Sequence, residues 1–334
     1  MATYKEIAGQ NIQVVSSDPS NPITGQIWYN STTQELKGQS SNPAGSWSTS
    51  ETMNTARRNV AGSVKGTQDA ALIFGGQSTV ITGETESYNG SSWTEVADLN
   101  TGRRQLAGAG TQTASLAFGG LVPPTAVPSS LYANTETWNG TSWTEVNDLN
   151  TARRALGSIG LQTAALTMGG ISFPTATVVG NTESWNGTSW TEVNDLNTTR
   201  NYMGGAGTQT SGLAFGGIDP SVYTAVTESW NGTSWTEVND LNTTRGYLGG
   251  LGTDNTAAIA ISGYTGTAYT AVTESWNGTS WTEVNDLNTA RDTFGSSGSE
   301  TSAIVGAGQD GVSNIASSEK WVTPVAQTVT FSSS

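Results

Sequence analysis

The chain has 334 residues, 34% of them hydrophobic, and a formal charge of −14 with an isoelectric point near 4.3. Nucleic acid and anionic membranes both require a basic face, so we expect neither as a partner. The sequence contains no cysteine and no histidine, which excludes disulfides and thiolate chemistry and removes the commonest general base and metal ligand. No apolar run is long enough for a signal peptide or a membrane span, so we expect no membrane insertion.

The first 50 residues equal one repeat length and contain four candidate strands, at 11–15, 26–30, 34–38 and 45–49. The second and third are spaced as a hairpin. Trp47, in the fourth, begins a tryptophan series that continues through the chain. We therefore predict an N-terminal segment at 1–50 and a repeat region at 51–334, which together form one domain.

The repeat region contains one sequence written several times. It reads NTETWNGTSWTEVNDLNTARR at 134–154 and returns nearly verbatim at 181–200, 226–245 and 271–291, with a looser copy at 84–104. One tryptophan per copy marks the phase: Trp47, Trp93, Trp143, Trp190, Trp235 and Trp281. A period of 45–50 residues predicts an array of identical structural units.

Each unit contains four candidate strands, which we call a, b, c and d. In one copy they lie at 106–110, 113–120, 134–138 and 142–146. Asn139-Gly140 between strands c and d predicts a type I′ hairpin turn, because both residues accept positive φ. The strands and their turns leave no room for a helix. Four-stranded antiparallel sheets repeated radially are typical of an all-β propeller.

The pattern resembles kelch repeats over about residues 57–322. The resemblance rests on a Gly-Gly pair after strand b, a tryptophan opening strand d, and an aromatic residue on strand c. The strand-c aromatics are Tyr88, Trp138, Trp185, Trp230, Trp276 and Trp321. Kelch repeats imply a β-propeller, but they do not imply one activity.

The two ends decide the number of blades. We predict seven, with residues 1–50 as the first blade and 328–332 as the strand d of the last. The alternative is six blades, closed by the pairing of Trp47's strand with the C-terminal blade. The rest of the N-terminus would then be an anchoring arm.

The N-terminus, ATYKEIAGQNIQVVSSDPSNPITGQIWYNSTTQELKG, resembles the opening of propeller-like proteins of marine bacteriophages. Hairpins of the GQIWYN type are also common in phage tail and virion proteins. The resemblance covers about 40 residues and implies a location on a virus particle.

All nine arginines fall at one point of the repeat. They are Arg57, Arg58, Arg103, Arg104, Arg153, Arg154, Arg200, Arg245 and Arg291. They could form a ring of cations that binds an anion, or ion pairs between blades. We expect ion pairs with the strand-c carboxylates, because a residue required in every blade fits a structural role. These carboxylates are Glu86, Glu136, Glu183, Glu228, Glu274 and Glu319.

The repeated acids and the repeated tryptophans could likewise have either a functional or a structural role. Glycoside hydrolysis needs two carboxyl groups whose environments push their pKa values apart, and equivalent copies supply no such asymmetry. We therefore expect no enzyme and no cofactor or metal. The tryptophans could stack on sugars, but recurrent tryptophans at fixed strand positions favour a buried core.

The b–c loops differ most between copies. They lie at 77–84, 121–133, 171–180, 218–226, 264–272 and 309–317, and in a propeller they emerge on one face. Variable loops on a rigid scaffold are typical binding elements, although loops without a role also vary. The candidate contacts are Pro123, Pro124, Tyr132, Phe173, Tyr223, Tyr264 and Tyr269.

We therefore expect a non-enzymatic phage protein in a tail, fibre or capsid decoration. Its loop face would bind a host-surface receptor or glycan, or another virion protein. The alternatives are a cytoplasmic kelch-type scaffold for protein partners and a glycan-binding, lectin-like propeller. The sequence leaves homo-oligomerisation in the particle open.

Overall fold

The computed structural model describes residues 12–20, 26–40, 45–122, 133–323 and 327–331. Its regular secondary structure is entirely β, and these residues include no helix long and apolar enough to cross a membrane. The chain divides into two compact units. One comprises residues 46–322, and the other comprises residues 1–45 with 323–334. The strand that contains Trp47 thus belongs to the larger unit, whereas the sequence groups it with residues 1–50.

The larger unit contains six four-stranded antiparallel sheets among its described residues, and we call them blades 1 to 6. Blade 1 consists of Ala61–Gly62, Ala71–Phe74, Thr85–Tyr88 and Trp93–Val96. Blade 2 consists of Ala107–Thr111, Ala114–Phe118, Thr135–Trp138 and Trp143–Val146. Blade 3 consists of Gly157–Leu161, Ala164–Met168, Thr182–Trp185 and Trp190–Val193.

Blade 4 consists of Gly204–Thr208, Ser211–Phe215, Thr227–Trp230 and Trp235–Val238. Blade 5 consists of Gly249–Asp254, Ala257–Tyr264, Tyr269–Trp276 and Trp281–Glu283. Blade 6 consists of Gly295–Gly298, Ser302–Gly306, Ser318–Val322 and Ser46–Ser50. Two short ladders pair Arg153–Arg154 with Ile171–Ser172, and Ile218–Asp219 with Val222–Tyr223.

The strand-d tryptophans join consecutive blades. Trp143 Nε1 of blade 2 donates to Thr85 Oγ1 of blade 1 at 3.2 Å, and the indole meets Phe74 edge-on. Trp93 of blade 1 makes the corresponding bond to Ser318 of blade 6, at 3.4 Å, so the six sheets form a closed ring. All six strand-d tryptophans are 5–7% exposed, which confirms that they belong to the core. The architecture is a β-propeller.

The ends of the chain do not follow the seven-blade assignment. Ser46–Ser50 pairs with Ser318–Val322, with Trp47 opposite Trp321, so the N-terminal strand completes blade 6. Residues 327–331 pair instead with Glu35–Ser40, in the smaller unit. The seven-blade prediction was wrong in both strand assignments, and the pairing is that of the six-blade alternative. Blade 6 needs a strand d with its tryptophan, and only the N-terminal copy supplies one.

The smaller unit contains one four-stranded sheet among its described residues. Ile27–Asn30 lies parallel to Gln13–Val15 and antiparallel to Glu35–Ser40, which confirms the predicted hairpin. Asp18 accepts hydrogen bonds from Trp28 and Asn30 and pairs with Lys37. These contacts, led by the bond from Lys37, lower the pKa of Asp18 to about 2.

The c–d turns differ from the prediction. Trp138 faces Trp143 in the ladder, so the loop has four residues, and Asn139 keeps a negative φ. Its side-chain oxygen instead accepts hydrogen bonds from the backbone N–H groups of Thr141 and Ser142, both at 2.9 Å. A side chain that bonds its own turn replaces the type I′ geometry.

Candidate binding site on the loop face

In each copy the arginines fall in a two-residue segment, such as Arg57-Arg58, which we call the arginine position. The b–c loops begin beside its second residue. Arg58 bridges to Gln77, Arg104 to Leu121 and Asp292 to Gln309, each at the first loop residue after strand b. The a–b and c–d turns lie at the other ends of the strands. We call the surface formed by the b–c loops and these bridged residues the loop face.

The first arginine of each position is buried and paired. Arg57, Arg103, Arg153, Arg200, Arg245 and Arg291 are all 0% exposed. Each donates to the strand-c glutamate of its blade, with N···O distances of 2.8–3.1 Å. The same glutamate accepts bonds from the segment that enters the blade, as Glu183 does from Asn150. The predicted arginine–glutamate pairs are present at these six positions, but each lies within one blade, so the expectation that they join two blades was wrong.

The second residue of each position behaves differently. It is arginine in the first three blades, at Arg58, Arg104 and Arg154, and Asn201, Gly246 and Asp292 in the others. The three arginines are only partly buried. Among the described residues, no Asp or Glu oxygen lies within 4.0 Å of their nitrogens. At Arg58, Arg104 and Arg154 the structural ion pair expected from the sequence is therefore absent.

The three arginines contact neutral groups of the preceding blade. Arg154 donates to Gln105 Oε1 at 2.7 Å, Arg58 donates to Gln309 Oε1 at 2.5 Å, and Arg104 donates to Gln77. The Nε atoms of Arg58 and Arg104 are buried without a hydrogen-bond partner. Burial lowers the pKa of Arg104, and the charges of Arg154 and Arg58 lower it further. Three mutually repelling cations therefore share one half of the loop face.

The next residue in each copy forms a ring around the propeller axis. Asn59, Gln105, Ala155, Tyr202, Tyr247 and Thr293 all have φ between 51° and 57°. From Gln105 to Thr293, each backbone N–H donates to the carbonyl of the preceding member, at 2.8–3.3 Å. A left-handed conformation is costly for residues other than glycine, and the inter-blade hydrogen bonds stabilise it here. All six residues line a cavity of about 130 Å³ on the propeller axis, and we call this cavity the channel mouth.

Five tyrosines form the other half of the face. The rings of Tyr202 and Tyr247 are 4.0 Å apart, centroid to centroid. The series continues from Tyr247 to Tyr223 at 6.4 Å, to Tyr264 at 5.7 Å and to Tyr269 at 5.0 Å. Burial, followed by the neighbouring tyrosines, raises the pKa of Tyr223 and Tyr247 to about 12. These phenols therefore stay neutral at physiological pH.

The two halves meet at two places. Gln105 connects Arg154 to the Tyr202 hydroxyl, since it accepts from the former and donates to the latter. A groove of about 470 Å³ lies between Arg58, Tyr269 and the blade 6 loop. Asp292 is 4% exposed, and its burial raises its pKa to about 6.

The predicted contact residues divide into three groups. The structure brings Tyr223, Tyr264 and Tyr269 together in the tyrosine series. Phe173 is 41% exposed on the blade 3 loop and lies outside that series. Pro123, Pro124 and Tyr132 lie outside the described residues.

Sequence reasoning missed Tyr202 and Tyr247 because they lie next to the arginines and not in the b–c loops. A signal was available, since the residue at this point takes five identities in six copies, whereas the buried arginine two residues before it is the same in all six.

The repeated acids have structural contacts. Asp148 accepts a hydrogen bond from the backbone N–H of Thr135 at 3.0 Å, and its equivalents do the same in other blades. The strand-d glutamates, such as Glu145, are exposed. The described residues include no group of three Asp or Glu side chains placed to hold a metal ion.

Comparison with known proteins supports the fold. No family model and no curated protein matches the sequence. Among solved structures, that of YjhT superposes with a TM-score of 0.70, covering 84% of this chain and 99% of its own, at 11% sequence identity. At this identity the likeness shows a shared propeller-like fold.

Proposed function

We propose that the chain is a non-enzymatic binding protein of a bacteriophage particle. It would belong to a tail, a fibre or a capsid decoration, and its loop face would bind a host surface or another virion protein. The observation that carries the binding role is the cluster of Arg58, Arg104 and Arg154. In a chain of charge −14, with its other described arginines in buried ion pairs, three cations without a carboxylate partner on one half of the loop face favour an external anion.

Exposed apolar side chains on the same face also favour a partner. Val80, Phe173, Val222 and Val312 lie on four different b–c loops, and each is at least 41% exposed. Apolar groups beside charged groups are typical of protein and glycan contact surfaces. The virion location rests on the resemblance of the N-terminus to phage proteins, and the kelch resemblance is compatible with any binding role.

Two experiments test this proposal. Mass spectrometry of purified particles should detect the chain, and a density map of the particle should show it as a six-bladed ring. Its absence from particles would exclude the virion role and favour the cytoplasmic kelch-type scaffold.

The second experiment measures binding of the purified protein to host cells. The triple variant Arg58→Gln, Arg104→Gln, Arg154→Gln should bind far more weakly than wild type. Lys320→Gln should bind normally. It also removes one cation, but its Nζ contacts Asp69 and Gly90 in the turns at the opposite ends of the strands. Equal binding by the triple variant and wild type would exclude the arginine cluster as the contact.

A lectin-like role is the second candidate, and the tyrosine series favours it. Aromatic rings provide flat apolar surfaces that match the apolar faces of sugar rings.

A further inference from the structure

We propose that the channel mouth binds a carboxylated sugar, with Arg58, Arg104 and Arg154 holding the carboxylate and the tyrosines holding the sugar ring. This inference deepens the proposed binding role and rests on it. It names the ligand class of the loop face.

The charge of the ligand follows from the arginines. Their guanidinium groups come from three consecutive blades and have no carboxylate partner among the described residues. A planar guanidinium donates two parallel hydrogen bonds to a carboxylate, which makes arginine well suited to this group.

The ring of the ligand follows from the tyrosines. Tyr202 and Tyr247 line the mouth, and Tyr223 continues the aromatic surface from the blade 4 loop. A compact inorganic anion would contact the arginines and leave this aromatic surface unused. A ligand with one anionic end and one apolar face uses both halves of the site.

The dimensions limit how the ligand enters. The cavity at the mouth, about 130 Å³, accepts one substituent or part of one ring. The groove beside Arg58 and Tyr269, about 470 Å³, accepts a neighbouring sugar unit. The site therefore fits the acidic end of a glycan lying across the loop face.

Calorimetric titration of the full-length protein tests this inference with three probes. Glucuronate carries the carboxylate, glucuronamide is its neutral isostere, and inorganic sulfate is an anion without a sugar ring. We expect saturable glucuronate binding that is about tenfold or more tighter than binding of either other probe. Equal affinity for glucuronate and glucuronamide would show that the site does not read the charge, and would overturn the inference.

Substitutions at two residues separate the parts of the site. Arg104→Gln should weaken glucuronate binding about tenfold or more, and Arg104→Lys should restore part of it, because lysine keeps the charge but loses the planar fork. Tyr223→Ala should weaken glucuronate binding and leave sulfate binding unchanged. Lys320→Gln is the matched control and should bind as wild type does. Thermal melting of each variant establishes that it is folded.

Three further results would overturn the inference. They are no saturable glucuronate binding in the millimolar range, sulfate binding as tight as glucuronate binding, or glucuronate binding that is unaffected by the Arg104 and Tyr223 variants. The outcome is separable from that of the proposed function. A chain absent from particles can still bind glucuronate, and a particle protein can fail to do so.

Discussion

Removal of one buried arginine should destabilise the propeller far more than removal of its neighbour in sequence. Arg153 is 0% exposed and donates to Gly169 O at 2.8 Å, Asn181 O at 2.6 Å and Glu183 Oε1 at 2.8 Å. Arg153→Met leaves Glu183, itself 1% exposed, without its cation. An uncompensated buried charge costs about 3–5 kcal/mol.

Arg154 provides the matched control. Its side chain is partly buried, lacks a carboxylate partner and donates one hydrogen bond, to Gln105. Arg154→Met should therefore cost no more than about 1 kcal/mol. The free energy of unfolding is measured by urea titration with tryptophan fluorescence, and the m-values should agree among the variants.

A double-mutant cycle isolates the ion pair. Arg153→Met combined with Glu183→Gln should cost less than the sum of the single changes by about 1–3 kcal/mol, because the double variant buries no lone charge. Equal effects of Arg153→Met and Arg154→Met, or strict additivity in the cycle, would refute the assignment of the arginines to two roles.

Three further predictions concern other parts of the ring. Deleting residues 1–50 removes the strand that closes blade 6, and loss of the Trp47 contact alone should lower the free energy of unfolding by about 4–6 kcal/mol. Deleting residues 1–45 keeps that strand and is the matched control. An equal loss of unfolding free energy in the two truncations would contradict the closure. Gly170 has φ +105°, and an added Cβ would lie 2.7 Å from Arg154 O, so Gly170→Ala should cost about 1–3 kcal/mol. Gly140→Ala meets its nearest atom at 3.5 Å and should cost less in the same urea titration. Burial raises the pKa of Asp292 from 3.8 to about 6, so its neutral form stabilises the fold at low pH, and this contribution is lost as pH rises from about 4 through 6. Over that window wild type should lose up to about 3 kcal/mol relative to Asp292→Asn, and parallel pH profiles of the two proteins would refute the shift.

The repeat made most of the ring predictable from the sequence. Strand positions, the buried tryptophans and the arginine–glutamate pairs follow from a pattern written once per blade. The closure of the ring was harder to predict, because either the N-terminal strand with Trp47 or the C-terminal segment could supply the last strand of the final blade. Trp47 has the right phase for either assignment, and only its pairing opposite Trp321 decides between them.

The binding site was less predictable than the scaffold. Arg153 and Arg154 are adjacent in sequence and identical in type, yet one is enclosed by its blade and the other is partly buried on the loop face without a carboxylate partner. Within one copy nothing in the sequence separates them, and only comparison of the six copies does, since the first position is always arginine and the second is arginine in three. Tyr247 and Tyr223 are 24 residues apart in numbering and become neighbours only when the blade 4 loop folds towards the axis.

In the ring of left-handed residues, the side chains at the channel mouth can change while the backbone hydrogen bonds that join the blades stay the same. Its hydrogen bonds use backbone atoms alone, so they hold equally well with asparagine, glutamine, alanine, tyrosine or threonine at the mouth. Exchange of whole repeats between positions would therefore move an arginine or a tyrosine to a new place on the rim without altering the blades. A chain of this design can acquire a new specificity by reordering modules that already fold.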